Sequence, residues 1–289
     1  MIYKFDIYDN YYSWWKNIDK TILIFVISFF IAGLFFSLAS TSLIASDRLN
    51  TNSYYFFVKH LSFILLGFLI MFVFSLIKEE LLIKISIGLF IFSLILLFLV
   101  PLIGEEVKGS KRWLDLPFLP RFQPVELIKP FYIVILASLL NYQKYNLYFK
   151  YFLSLLTIIP IVLLLMSQPD LGQSILIILT WLVLIFISGI NLLIFFGLFG
   201  FFITIISYLI FFVEKFNYIK IRIASFFDNS SNSYSQAEKA SEAIIDGGFF
   251  GKGIGEGTLN SKIPEAHTDF IVSVISEEFG IIIILLIML

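Results

Sequence analysis

The chain has 289 residues, a formal net charge of −1, 14% charged and 59% hydrophobic residues, and a mean hydropathy of +0.95. These values exclude an ordinary soluble protein, and the near-neutral charge argues against a general nucleic-acid binder. With no cysteine and only two histidines, His60 and His267, disulfides, thiolate metal sites and a His-based metal cluster are excluded as well.

Residues 1–20 are polar and aromatic, with Trp14, Trp15, Lys16 and Lys20 suited to the headgroup level, and they lack a small-residue cleavage site. They read as an N-terminal lead-in rather than a signal peptide. Runs of about 20 apolar residues cross a bilayer. Seven complete spans are predicted at 21–43, 61–77, 82–103, 124–142, 151–167, 171–190 and 192–213, and a partial eighth begins near Asp269. The chain is therefore expected to be an all-α polytopic membrane protein with a single transmembrane domain over 1–289. In the fourth span Glu126 and Lys129 lie three apart on one helical face, where they can pair. A solvated pair at a helix end and a functional pair are both open at this point. Pro130 removes a backbone hydrogen bond and predicts a kink.

If all seven spans cross, the segments 44–60, 104–123, 168–170 and 214–268 share one side, opposite the N-terminus. Lys and Arg counts do not orient the chain, because the positive-inside rule discounts long loops. The surplus of basic residues on the loop side hints at an anionic ligand. The long polar segment 214–268 opens with Lys215, Lys220 and Arg222 and ends in a glycine run from Gly247 to Gly257. Between them, Ser235 with Glu238 fits a capping box and Ala237, Ala240 and Ile244 recur at helical spacing, which predicts a short surface helix.

The glycine run fails as a nucleotide motif. A P-loop needs Gly where Asp246 stands and Ser or Thr where Gly253 stands, and no G-x-G-x-x-G register exists. Tight turns at positive φ are the simpler reading. In QPDLGQS, Asp170 is placed to cap the sixth span, and its side of the membrane leaves a second carboxylate beside Asp269 open. The stretch 109–129 gathers Lys111, Arg112, Arg121 and Lys129 beside Trp113. Such a loop binds headgroups, or neutralises the charge of a lipid-linked pyrophosphate. In PEAHTDF, a carboxylate at the mouth of a membrane helix makes Asp269 a functional-site candidate. His267 has three open roles, metal ligand, proton relay or loop hydrogen-bond partner, the last being the commonest for a lone His. Glu277 and Glu278 stand about 80° and 180° around the helix from Asp269, so at least one must face other helices or a wet cavity.

Assembled in order, GSKRWLDL with QPVELIK, QPDLGQS, GGFFGKGIGEGT and PEAHTDFIVSVISEEFG resemble the SEDS family of polytopic peptidoglycan glycosyltransferases, whose members include FtsW and RodA. GIGEGT and Ala266 before HTDF are more like the division-associated branch. Val125 stands where the family usually has Ser, and Pro130 interrupts the helix after Lys129.

The resemblance implies a ten-helix fold, so this chain is expected to be incomplete at its C-terminal end, with 1–20 cytoplasmic, 214–268 a large extracytoplasmic loop and 269–289 an unfinished eighth helix. It further implies polymerisation of lipid II at the outer face of the bacterial cytoplasmic membrane, at the septum, with a class B penicillin-binding transpeptidase and other division proteins as partners. Asp269 is then the general base. Lys111, Arg112, Lys129, Glu126 and His267 are the expected substrate-binding residues, and Mg or Mn is a conceivable aid at the pyrophosphate. A lipid II flippase and a non-catalytic division scaffold are the alternatives.

Overall fold

A computed structural model of the chain describes residues 11–38, 54–107, 110–115, 120–227, 236–259, 263 and 270–289. In chain order its elements are α1 (Tyr11–Asn17), α2 (Lys20–Phe36), α3 (Tyr55–Ser75), α4 (Glu79–Ile103), β1 (Glu105–Val107), β2 (Ser110–Trp113), α5 (Pro124–Asn141), α6 (Leu147–Ser167) and α7 (Leu171–Ile187). There follow α8 (Leu192–Phe212), a 3-10 turn at Glu214–Phe216, α9 (Asn217–Phe227), α10 (Gln236–Gly247), α11 (Ile271–Phe279) and α12 (Ile281–Met288). All seven predicted spans have a helix. Several begin earlier than the apolar run, because polar residues make good helix starts. Glu79 and Glu80 occupy the first turn of α4, where the helix dipole favours anions, and Asn146 accepts the Phe149 N–H at 2.8 Å to start α6.

One compact unit comprises Lys78–Asn229. Its core is a stripe on α5, Val125, Ile128, Tyr132, Leu136 and Leu140, packed against Ile158, Ile161 and Leu165 of α6 and Ile177, Trp181 and Ile185 of α7. The three- and four-residue spacing puts each set on one helix face. Two polar contacts fix the register of this core: Trp181 donates to Ser154 at 3.0 Å, and the buried Lys150 ammonium donates to the Leu140 carbonyl at the end of α5 at 2.9 Å. By contrast α8 is apolar but for Thr204, Ser207 and Tyr208 and has no buried residue, a pattern that suits a helix long and apolar enough to cross a membrane.

The 104–123 segment departs from the loop expected of it. β1 and β2 form an antiparallel hairpin, and Leu114 and Phe122 pair beyond it with N···O distances of 3.0 and 3.2 Å. Leu114, fully buried with Val100 and Leu96, pins this strap to the end of α4.

The second unit comprises Ile7–Ile77 and Ser230–Leu289. Trp14 lies here against the end of α3, buried, donating to Ser75 at 2.9 Å with its ring edge-on to Phe72, while Trp15 is exposed. The predicted short helix is α10, whose Ala240, Ala243 and Gly247 turn toward α11, and Gly247 leaves room for the Ser276 carbonyl.

The eighth span is not one helix. It breaks at Gly280, whose φ of 84° and ψ of 167° suit glycine alone, and the Ile281 N–H bonds the Gly248 carbonyl at 3.0 Å. A Cβ at Gly280 would overlap the Phe249 carbonyl oxygen. Gly280→Ala is therefore expected to cost about 2 kcal/mol or more, read as a lowered Tm in detergent. Gly88→Ala, inside α4 with open space around it, is expected to leave Tm unchanged or slightly raised.

Candidate active site

At one end of the Lys78–Asn229 unit, the hairpin, the start of α5, the turn between α6 and α7 and the segment after α8 converge, as their alternation in sequence requires. The turn at 167–170 is the hub. Lys215 Nζ donates to the Ser167 carbonyl at 2.6 Å, and Gln168 Nε2 donates to the Leu97 carbonyl at 3.0 Å. The Pro169 carbonyl accepts from both Arg112 Nη2 at 2.6 Å and Tyr218 Oη at 2.9 Å. Asp170 is buried and caps α7 as expected, Oδ1 accepting from the Gln173 N–H at 3.4 Å, while its Oδ2 faces Arg112 Nε at 3.8 Å. A guanidinium carries five donors, and the turn holds Arg112 by one edge.

One helical turn further along α7, Gln173 Nε2 donates to Glu126 Oε1 at 3.0 Å. The other carboxylate oxygen of Glu126 meets Lys129 Nζ at 2.6 Å, so the predicted pair forms. Both Glu126 oxygens are engaged, which makes this residue a holder of the ammonium rather than a proton acceptor. Of the three donors on Lys129, Glu126 takes one. Lys111 stands opposite Glu106 in the hairpin register, and Arg121 pairs with Glu105.

Beside Glu126 opens an apolar groove of about 610 Å³, lined among others by Phe92, Leu96, Trp113, Phe122 and Leu127. Phe92 lies roughly 16 Å along the axis from the end of α4, so the groove runs from the cationic end toward the depth of the helices. A polyanion with a hydrocarbon tail matches this combination of surfaces. Among the described residues no group of three or more acidic or histidine side chains is gathered to hold a metal ion, and Glu126 and Asp170 face Lys129 and Arg112.

Asp269 and His267 lie outside the described residues. In the second unit Glu277 and Glu278, on α11, are both buried, beyond the minimum of one expected, and Glu277 Oε1 accepts the Leu259 N–H at 2.9 Å. The glycine run folds around them as a backbone splint: the Lys252 and Gly253 N–H groups donate to the carbonyls of Glu277 and Glu278 at 2.9 and 3.0 Å. Gly251 and Gly253 have φ of 78° and 115°, in keeping with the turn reading. Sequence reasoning missed Gln173, Gln168 and Tyr218, whose partners lie 47, 71 and 49 residues away.

Fold and site together define a polytopic α-helical membrane protein with an end where charged side chains pair beside an apolar groove. Residues 19–289 match the family described as "Cell cycle protein" and grouping FtsW, RodA and SpoVE, and the chain belongs to that family. It is 33% identical to the "Probable peptidoglycan glycosyltransferase FtsW" of Coxiella burnetii, with 93% of this chain and 73% of the relative covered. It is 34% identical to the protein of the same name from Wigglesworthia glossinidia brevipalpis, with 94% and 72% covered. Among solved structures, RodA of Thermus thermophilus matches with a TM-score of 0.60 at 24% identity, covering 95% of this chain and 71% of that one. A chain from a structure described as "Structural coordination of polymerization and crosslinking by a peptidoglycan synthase complex" matches with a TM-score of 0.70 at 23% identity, covering 94% and 74%. At these identities the structural likeness is one of fold.

Proposed function

We propose that the chain is a peptidoglycan glycosyltransferase of the FtsW type that polymerises lipid II at the outer face of the cytoplasmic membrane during division. The observation that carries the reading is the pair of cations, Arg112 held by the Pro169 carbonyl and Asp170 and Lys129 held by Glu126, at the same end as an apolar groove. The groove takes the hydrocarbon part of the donor and the cations take its pyrophosphate. Asp269 serves as general base, removing the proton of the acceptor's GlcNAc 4-hydroxyl as that oxygen attacks the anomeric carbon of the lipid-linked donor. The bond to the pyrophosphate oxygen breaks with inversion, and undecaprenyl pyrophosphate leaves with both bonding electrons. A pyrophosphate leaving group needs no acid if its charge is neutralised, so one carboxylate suffices. A class B penicillin-binding transpeptidase is the partner that crosslinks the product, at the division septum.

Purified protein supplied with lipid II in detergent is expected to form glycan polymer. In liposomes, scrambling of lipid II between leaflets without any polymer would favour a flippase instead.

A further inference from the structure

We infer that Gln173 is a positioning residue for Lys129, acting through Glu126; the inference rests on the pyrophosphate-binding role given above to Lys129. A Glu and Lys three apart at the exposed start of a helix ordinarily sample many rotamers, since neither long side chain is otherwise tied. Here the carboxylate is held from a neighbouring helix. Gln173 Nε2 takes Glu126 Oε1 at 3.0 Å while Lys129 Nζ takes Oε2 at 2.6 Å, so both oxygens, and with them the carboxylate plane, are fixed.

The orientation of the amide supports this. An ionised carboxylate only accepts, so Gln173 must present its NH2 group to Glu126. Its Oε1 is thereby turned to a buried position with no hydrogen-bond partner among the described residues. The contact with Glu126 therefore decides how this side chain points, at the expense of its own acceptor. The backbone N–H of the same residue bonds Asp170, the residue that faces Arg112. One helical turn, the first of α7, thus fixes two cations on two other elements, Arg112 directly and Lys129 by relay.

The test is Gln173→Met, which keeps length and volume but has no donor, measured alone and in a Glu126→Met background, which has no acceptor at that position. With lipid II, the single variant is expected to lower kcat about tenfold with KM changed by less than about threefold and Tm unaltered. In the Glu126→Met background the same substitution is expected to have less than about twofold further effect, because the contact it removes is already lost. A full tenfold effect in both backgrounds, or a variant indistinguishable from wild type, would overturn the inference.

If wild-type protein makes no polymer, the parent reading fails, and the positioning role is decided by acetylation of Lys129 followed by mass spectrometry. Labelling is expected to rise several-fold in Gln173→Met, with Lys150, held by the Leu140 carbonyl, as the unchanged reference. Equal labelling in variant and wild type overturns the role. Where Gln173→Met lowers the yield of folded protein, Gln173→Leu, which also lacks a donor and suits an apolar helix, is measured in the same two ways.

Discussion

Asp269→Asn is expected to lower the rate of glycan formation by about 10³-fold or more while leaving the protein folded, with unchanged elution and Tm in detergent. Positioned general bases contribute roughly 10² to 10⁴ in rate. The upper part of that range applies because a sugar hydroxyl is a very weak acid and the attacking oxygen needs its proton taken as the bond forms. Asparagine has the size and shape of aspartate but cannot accept that proton. Two other acids among the described residues are already committed. Glu277 is buried with one oxygen committed to the Leu259 N–H, and Glu126 has both oxygens committed to Gln173 and Lys129. Turnover of the Asn variant within tenfold of wild type would remove Asp269 as the base.

Arg112→Ala is expected to have the second-largest effect, and on two quantities at once. Stability should fall by about 1–2 kcal/mol, because the Pro169 carbonyl loses one of its two donors and buried Asp170 loses its nearest cation. The figure sits below the roughly 3–5 kcal/mol of fully buried pairs, since Arg112 is itself partly exposed and its Nε lies 3.8 Å from Asp170 Oδ2. The polymerisation rate should fall by about 10²-fold through lost stabilisation of the departing pyrophosphate. Arg112→Lys separates the two effects: it restores the charge but not the forked geometry, and is expected to recover part of the rate. Tyr218→Phe, which removes only the other donor to Pro169, is expected to cost no more than about 1 kcal/mol and to leave the rate within a few-fold. An Arg112→Ala protein that is less stable yet polymerises normally would reduce Arg112 to a structural clamp.

Much of this organisation was legible in the sequence, for a physical reason. Bilayer thickness imposes a length on every span, so an apolar run such as 192–213 announces a helix whatever it packs against. Local signals held equally well. Asp170 after Pro169 caps α7, and Glu126 meets Lys129 one turn on, because both contacts lie within a few residues.

What escaped was non-local. The hairpin of β1 and β2 has only three and four residues per strand, too short for an alternating pattern to be recognised. The break at Gly280 sits in the apolar context FGIIII, where nothing nearby marks it; the groups that meet the kinked backbone belong to Gly248 and Phe249. Arg112 was recognised as a cation but not as the partner of a turn 57 residues away. Gln173 carried no signal, because a lone glutamine opening a membrane helix is ordinary and its significance lies wholly in facing Glu126.

The most direct test of the central claim is to follow bond formation and leaving-group release together in purified protein supplied with lipid II. A glycosyltransferase whose cations hold the departing pyrophosphate must release one undecaprenyl pyrophosphate for each β-linked disaccharide added, and both signals must vanish together in Asp269→Asn. Lipid II that crosses the bilayer while its pyrophosphate linkage stays intact, in wild type and variant alike, would contradict the account.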